Sequence, residues 1–334
     1  MKAKKTFLFK CNSTMSTKAK TTEKRVDTYQ EITDFVIGYL EKGHAIWRKP
    51  WKAKPGAKTN AAKNLTTAKD YQGWNHFYLE FVRTAHNFSS PYFVTFLQAK
   101  TLGGHIKKDS KGFHIVKWVA VEKEKRPSRN SPVENDATTE TKLFPTVHTV
   151  FNVAQTEGLE YPTDEPIVLT EPERLDQCER IVHGMPGRPD IREGGNQACY
   201  YPQIDRIQMP PYGDFTPREA YYNTLFHELV HSTGHTKRLN RKELMESDGF
   251  QGKKYSREEL TAEMGAAFLS GIAGIEQKTI DNSAAYLKGW VRAFTDDKMM
   301  ILQAAAKAQA AADFILGVEE TEAHPTAETI HAVA

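Results

Sequence analysis

The chain has 334 residues, 39% hydrophobic and 26% charged, with three cysteines and a formal net charge of +3. That is enough chain for two domains with a sizeable core, and it holds no run of about 18 apolar residues that could span a membrane. Cys11, Cys178 and Cys199 are scattered and form no CxxC, which argues against a disulfide framework or a thiolate zinc site and leaves a cytoplasmic protein as the expectation.

The charge is unevenly placed. Residues 1–126 carry 25 Lys+Arg against 10 Asp+Glu, whereas residues 127–334 carry 20 against 32. A basic front joined to an acidic rear points to a polyanionic partner for the front half. Residues 1–25, rich in Lys, Thr and Ser, read as a disordered basic tail, with an apolar stretch too short for a secretory signal. Apolar positions at Tyr29, Ile32, Val36, Ile37 and Leu40 predict an amphipathic helix over Val26–Leu40, ended by Gly43. A further apolar segment runs from Tyr71 to Val82, and Tyr92–Gln98 fits a strand or a short helix. His105–Lys108 and Phe113–Val119 read as paired strands around Lys108-Asp109-Ser110-Lys111-Gly112, a hairpin signal. Polar, proline-bearing residues over 126–141 read as a loop, after which Leu143–Val153 returns to a strand pattern.

In the rear half a helix is expected around Glu171–Val182. Ala198–Tyr201 and Asp205–Met209 read as two strands turning at Pro202-Gln203. Asn282–Leu316 is strongly helical, with Trp290, Phe294, Ile301 and Phe314 on its buried side. The expected fold class is therefore α+β in two domains. An α+β front domain covers 26–160, a mainly helical domain with a small β-sheet covers 161–316, and residues 317–334 form a tail.

Residues 41–126 hold 17 Lys+Arg against 6 Asp+Glu and four of the five tryptophans. Single-stranded nucleic acid is bound by this mixture: cations follow the phosphates while aromatic faces stack on splayed bases. Trp47 and Trp51 bracket Arg48 and Lys49; Tyr71, Trp74 and Asn75 open the next segment; Lys107, Lys108 and Lys111 sit at a turn open to a phosphate chain. These residues are the candidate DNA contacts, although any one tryptophan is as readily a core residue.

The sharpest motif is Phe226-His227-Glu228-Leu229-Val230-His231, which reads H-E-x-x-H. Residues four apart share a helix face, so His227 and His231 can present two imidazoles to one Zn²⁺ or another divalent ion such as Mn²⁺. Glu228 is the candidate general base. Thr216-Pro217-Arg218-Glu219 spells a capping box at the start of this helix and Gly234 a stop, for about five turns. Glu259 and Glu263 share one face of a following helical pattern, where one can ligate the metal while the other orients a histidine. Ser256 and Glu259 also spell a capping box, which leaves the choice between the two carboxylates open. Glu259 is preferred because Glu259-x-x-Ala262-Glu263 resembles the third-ligand segment of Glu-type zincins.

A wider resemblance is carried by Trp47-Arg48-Lys49-Pro50-Trp51, Tyr71-x-Gly73-x-Asn75, Gln98-Ala99-x-x-Leu102-Gly103-Gly104 and Phe151-Asn152-Val153-x-Gln155-x-Glu157-Gly158-Leu159 in front. Behind, it is carried by Phe226-His227-Glu228-Leu229-x-His231-x-Thr233-Gly234-His235 and Glu258-Glu259-Leu260-x-Ala262-Glu263-x-Gly265-Ala266. Over about residues 26–316 the chain resembles ArdC-type antirestriction proteins, whose front domain also occurs in TraC-type conjugal primases. The resemblance implies a single-stranded-DNA-binding domain followed by a zincin-like metallopeptidase domain. It implies a mobile element as carrier, and protection of incoming DNA from host restriction. If the rear domain is a peptidase, a host restriction enzyme or another DNA-bound protein is its expected substrate. Two readings from other classes stand beside it: a zinc metallopeptidase whose DNA-binding half merely delivers it to such a protein, and a DNA-binding protein with a purely structural metal.

Overall fold

The computed structural model describes residues 27–45, 61–124, 139–163, 168–245, 253–275 and 284–318. The two tails, most of the 126–141 loop and Trp47 to Trp51 lie outside these residues.

The front half begins with α1 (Thr28–Leu40), where Asp27 caps the helix by accepting from the amides of Tyr29 and Gln30. β1 (Lys63–Asn64) leads to α2 (Trp74–Ala85), β2 (Tyr92–Thr95) and a short α3 (Phe96–Thr101). Tyr92–Gln98 is thus both strand and helix, divided at Thr95, which makes a capping box with Gln98. β3 (His105–Ile106) and β4 (Phe113–Glu124) follow, then β5 (Thr139–Asn152) and β6 (Thr156–Glu157).

The predicted hairpin between His105–Lys108 and Phe113–Val119 does not form. β3 pairs antiparallel with β6, whereas β4 pairs with β5 from Phe113↔Val150 to Glu124↔Thr139. The turn signal at Lys108–Gly112 reverses the chain, but β5 offers β4 a partner of matching length. The main sheet has the order β1-β2-β5-β4.

The rear half contains α4 (Glu171–Gly184), β7 (Asp190–Glu193), β8 (Cys199–Tyr201) and β9 (Arg206–Met209). Its sheet has the order β7-β9-β8, β7 parallel and β8 antiparallel to β9. There follow α5 (Glu219–Thr233), α6 (Lys242–Met245), α7 (Lys253–Ala273), α8 (Ala284–Asp296) and α9 (Met300–Ile315). The helical stretch expected over Asn282–Leu316 is broken at Asp297, which accepts from the amide of Met299.

The helix with the HExxH motif starts later than expected. Glu219 is its first residue, and Thr216 and Pro217 lie before it. The Glu219 carboxylate is taken by Arg174 of α4 at 2.7 Å instead of capping the helix end. The helix therefore makes about four turns.

The two halves share one core. Ile32, Val36, Trp74 and Phe77 are buried in the same cluster as Leu229, Leu260, Leu269 and Ile301. Phe77 packs on Phe268 with ring centroids 4.4 Å apart, the Thr33 hydroxyl donates to the Lys298 carbonyl, and the Gly73 amide donates to Gln309. A boundary near residue 160 thus marks no break in packing among the described residues.

Candidate metal centre

α5 is buried on most of its circumference, with Leu225, Phe226, Leu229 and Val230 in the core and His227 at the more open side. α7 crosses it closely because position 265 is glycine: a methyl there would lie 2.6 Å from a Val230 methyl carbon. That approach brings Glu258 and Glu259 up to the two histidines.

The Nε2 atoms of His227 and His231 face each other at 3.1 Å. The Glu259 carboxylate lies 3.5 Å from His227 Nε2 and 3.3 Å from His231 Nε2. The three donor atoms fall within 4.8 Å of one another, the one such His/Cys/Asp/Glu group among the described residues. Two imidazole nitrogens and one carboxylate oxygen suit a borderline divalent cation and leave coordination positions for water. Glu263 is buried one turn further along α7 and is not one of the converging donors. Ser256 lies inside α7, which starts at Lys253, so it does not cap that helix.

Glu258 and Arg241 are the site residues that the sequence reading missed. His231 Nδ1 lies 3.2 Å from Glu258, which fixes the ring so that Nε2 faces Glu259. Arg241 holds Glu258 through Nε at 3.0 Å and Nη2 at 2.6 Å, and also donates to Thr233 Oγ1 and the Val230 carbonyl. Gly234 makes room for it, since a methyl there would stand 3.1 Å from Arg241 Nη2. Glu258 neighbours Glu259 in sequence, about 100° round the helix, so a search for same-face pairs passes it over.

The electrostatics follow from this packing. Burial alone would raise the Glu258 carboxyl, but the Arg241 guanidinium and His231 bring it down to about 2. Burial would likewise raise Glu259, yet hydrogen bonds with His227 and His231 hold it below the ordinary carboxylate range. Burial pulls the His231 imidazole down, and the two carboxylates overcome this and raise it well above the usual histidine value. Partial burial pushes up the Cys199 thiol at the start of β8, with Glu228 next and Glu259 also raising it. Glu228, buried on α5, therefore shares an electrostatic neighbourhood with the metal-site carboxylate.

The candidate DNA contacts fare unevenly. Trp47, Arg48, Lys49 and Trp51 lie outside the described residues. Trp74 is only 5% exposed and stacks on Tyr78, so it offers no face to a base. Asn75 is a clamp on the sheet edge: its amide donates to the Val116 carbonyl at 2.7 Å and accepts from the Val116 amide at 3.0 Å. Tyr71 is half-buried, edge-on to Phe93. Lys107, Lys108 and Lys111 are exposed, and Lys107 Nζ donates to the Ala154 carbonyl.

Two family models match the chain: the N-terminal domain of anti-restriction factor ArdC over residues 26–151, and a zincin-like metallopeptidase over residues 177–307. Together with the fold and the His227–His231–Glu259 group, they define a protein with an ArdC-type front and a zincin-like rear. Protein y4eC of Sinorhizobium fredii is 31% identical over 89% of this chain and 94% of its own length. The DNA primase TraC of Escherichia coli is 32% identical over 88% of this chain, which spans 20% of that primase. The metal-free crystal structure of the antirestriction ArdC protein from plasmid R388 is 34% identical and superposes with a TM-score of 0.67, over 87% of this chain and 97% of that one. The Mn(II)-bound form of that protein gives 0.66. The chain belongs to the ArdC family of antirestriction proteins. No described helix is long and apolar enough to cross a membrane.

Proposed function

We propose that this chain is an antirestriction protein of a mobile element, acting in the cytoplasm, that binds single-stranded DNA through its basic front half and protects incoming DNA from host restriction. The observation that carries this reading is near-full-length similarity to an antirestriction protein, joined to a front half of marked positive charge. The test is transfer of unmodified DNA into a restricting recipient, with and without this chain, alongside fluorescence anisotropy on single strands. Recovery should rise with the chain present, and single strands should outcompete heparin at moderate salt. Equal recovery, or no preference over heparin, sinks the reading.

His227, His231 and Glu259 of the rear half would hold a divalent cation, zinc or manganese being the candidates. When bound, such an ion supplies Lewis-acid polarisation and a more acidic water. His231 is held in orientation by Glu258, and Glu228 is the side chain to accept a proton from the attacking water and return it to the leaving amine. That donor set, three protein groups with a carboxylate base beside them, favours a second reading, a metallopeptidase acting on a DNA-bound protein such as a host restriction enzyme. Glu228→Gln decides between them. Lost protection with metal and DNA binding intact makes peptidase chemistry essential, while full protection makes it dispensable.

A further inference from the structure

The helix α3 has its polarity inverted. A surface helix normally turns large apolar residues inward and polar ones outward. Here the small Ala99 is the fully buried residue, while Phe96 is 62% and Leu97 71% exposed, and Leu102 just beyond the helix is 47% exposed. No other phenylalanine, tyrosine or tryptophan among the described residues is exposed to this extent. Lys100 lies one turn after Phe96, on the same exposed side.

Lysines sit on α3 and on two segments that touch it. The Asn64 and Gln98 side-chain amides pair at 3.4 Å, which seats the turn after β1, carrying exposed Lys69, against the base of α3. The chain then leaves α3 through Gly103-Gly104 into β3, which packs against α3 and is followed by Lys107 and Lys108. Gly104 is required there, because a methyl would lie 2.4 Å from a Leu159 side-chain carbon. The nearby carboxylates are mostly engaged: Asp70 lies 3.8 Å from Lys63, and Glu157 pairs with His105 at 3.2 Å, leaving Asp109 at the turn.

We infer that the outer face of α3 is the base-stacking platform for single-stranded DNA, with Phe96 under a base, Leu97 and Leu102 flanking it, and Lys69, Lys100, Lys107 and Lys108 following the phosphates. The inference rests on the single-strand reading above and adds the place of contact. A flat aromatic ring accepts any base, and lysines on α3 and its neighbouring segments accept a backbone that passes across it, so the face is matched to a single strand without base preference. A second copy of the chain would cover the apolar residues but would bring the same lysines together.

The test uses the full chain and an unstructured oligonucleotide, followed by anisotropy across a salt series. Phe96→Ala should weaken binding about tenfold or more and leave the slope of log affinity against log salt unchanged, because stacking is lost and phosphate contacts are kept. Lys107→Ala with Lys108→Ala should reduce that slope. A photoreactive base in the oligonucleotide should crosslink to the segment containing Phe96 and Leu97. Since Phe96 is exposed, its variant should melt with the wild type. Wild-type binding that survives Phe96→Ala within twofold, with the crosslink elsewhere, overturns the placement and leaves the antirestriction reading standing. A wild-type dimer that Phe96→Ala converts to monomer, with DNA affinity unchanged, overturns it in favour of self-association. Absence of single-strand binding by the wild type overturns the parent reading and the platform with it.

Discussion

The α5–α7 wall and the α3–β3 surface are built in opposite ways. In the wall, Arg241, Glu258 and His231 are buried and linked in a chain of hydrogen bonds that ends at the converging donors. On the surface, Phe96, Lys100 and Lys108 are exposed and only lightly held. A cation with fixed coordination needs donors preset to a fraction of an ångström, so the wall puts several residues into orienting one imidazole. A polyanion needs charge and accessible ring faces, which side chains on short turns supply without a rigid shell. Substitution in the wall should therefore cost stability and affinity together, whereas substitution on the surface should cost affinity alone.

The largest effect is expected for Arg241→Met. It leaves the Glu258 carboxylate buried without its guanidinium, a loss of about 3–5 kcal/mol in denaturant unfolding. Arg241→Met with Glu258→Met should recover part of that loss, and a single-variant loss below about 1 kcal/mol would show that the wall is not held this way. The same pair sets a pH dependence. Glu258 sits at about 2 in the fold against about 4.3 for an ordinary glutamate. Its depressed value means that the pair's stabilisation is complete above pH 4–5 and drains away as pH falls toward 2. Arg241→Met should flatten the acid limb of a stability profile over that window.

Next in size are the metal affinities. Glu259→Ala removes a donor and should weaken Mn(II) or Zn(II) binding, measured by calorimetry, beyond the roughly 10- to 100-fold expected when an orienting partner is lost. Glu258→Gln should fall within that 10- to 100-fold range. Equal losses in the two variants would mean that Glu259 orients instead of ligating.

The part of this design that could be read from residues is the part with a local period. His227 and His231 are four apart on one helix, which makes two of the converging donors legible from residues alone, while the third is open between Glu259 and Glu263 until α7 is placed. Glu258 and Arg241 are not legible, because their pairing joins residues 17 apart across a crossing that depends on Gly265. The pairing of β3 is not legible for a related reason: a turn signal tells where a chain reverses, not which strand it meets next. Trp74 and Asn75 look like a nucleic-acid pair in composition, yet α2 rotates the indole into the core and the amide onto Val116. Phe96 carries no signal in the sequence because an apolar residue in a short β–α segment is ordinarily buried, and only the fold reveals that Ala99 has taken the inward position.

The smallest effect tests the surface side of the comparison. Lys108 and Lys111 are exposed at the turn between β3 and β4. The Lys111 carbonyl accepts from Gln155, a backbone bond that a side-chain change leaves in place. Lys108→Ala and Lys111→Ala should each keep stability within about 0.5 kcal/mol of the wild type. If both chains of charge follow the phosphates, each variant should lower the salt slope for single-strand binding by about 0.7, and the double variant should lower it by about twice that, since exposed charges act independently. A slope that drops for Lys108 and not for Lys111 would place the strand's path on the α3 side of the turn. An unchanged slope in both would move it off this turn altogether, with Lys69 and Lys100 left to carry the phosphates.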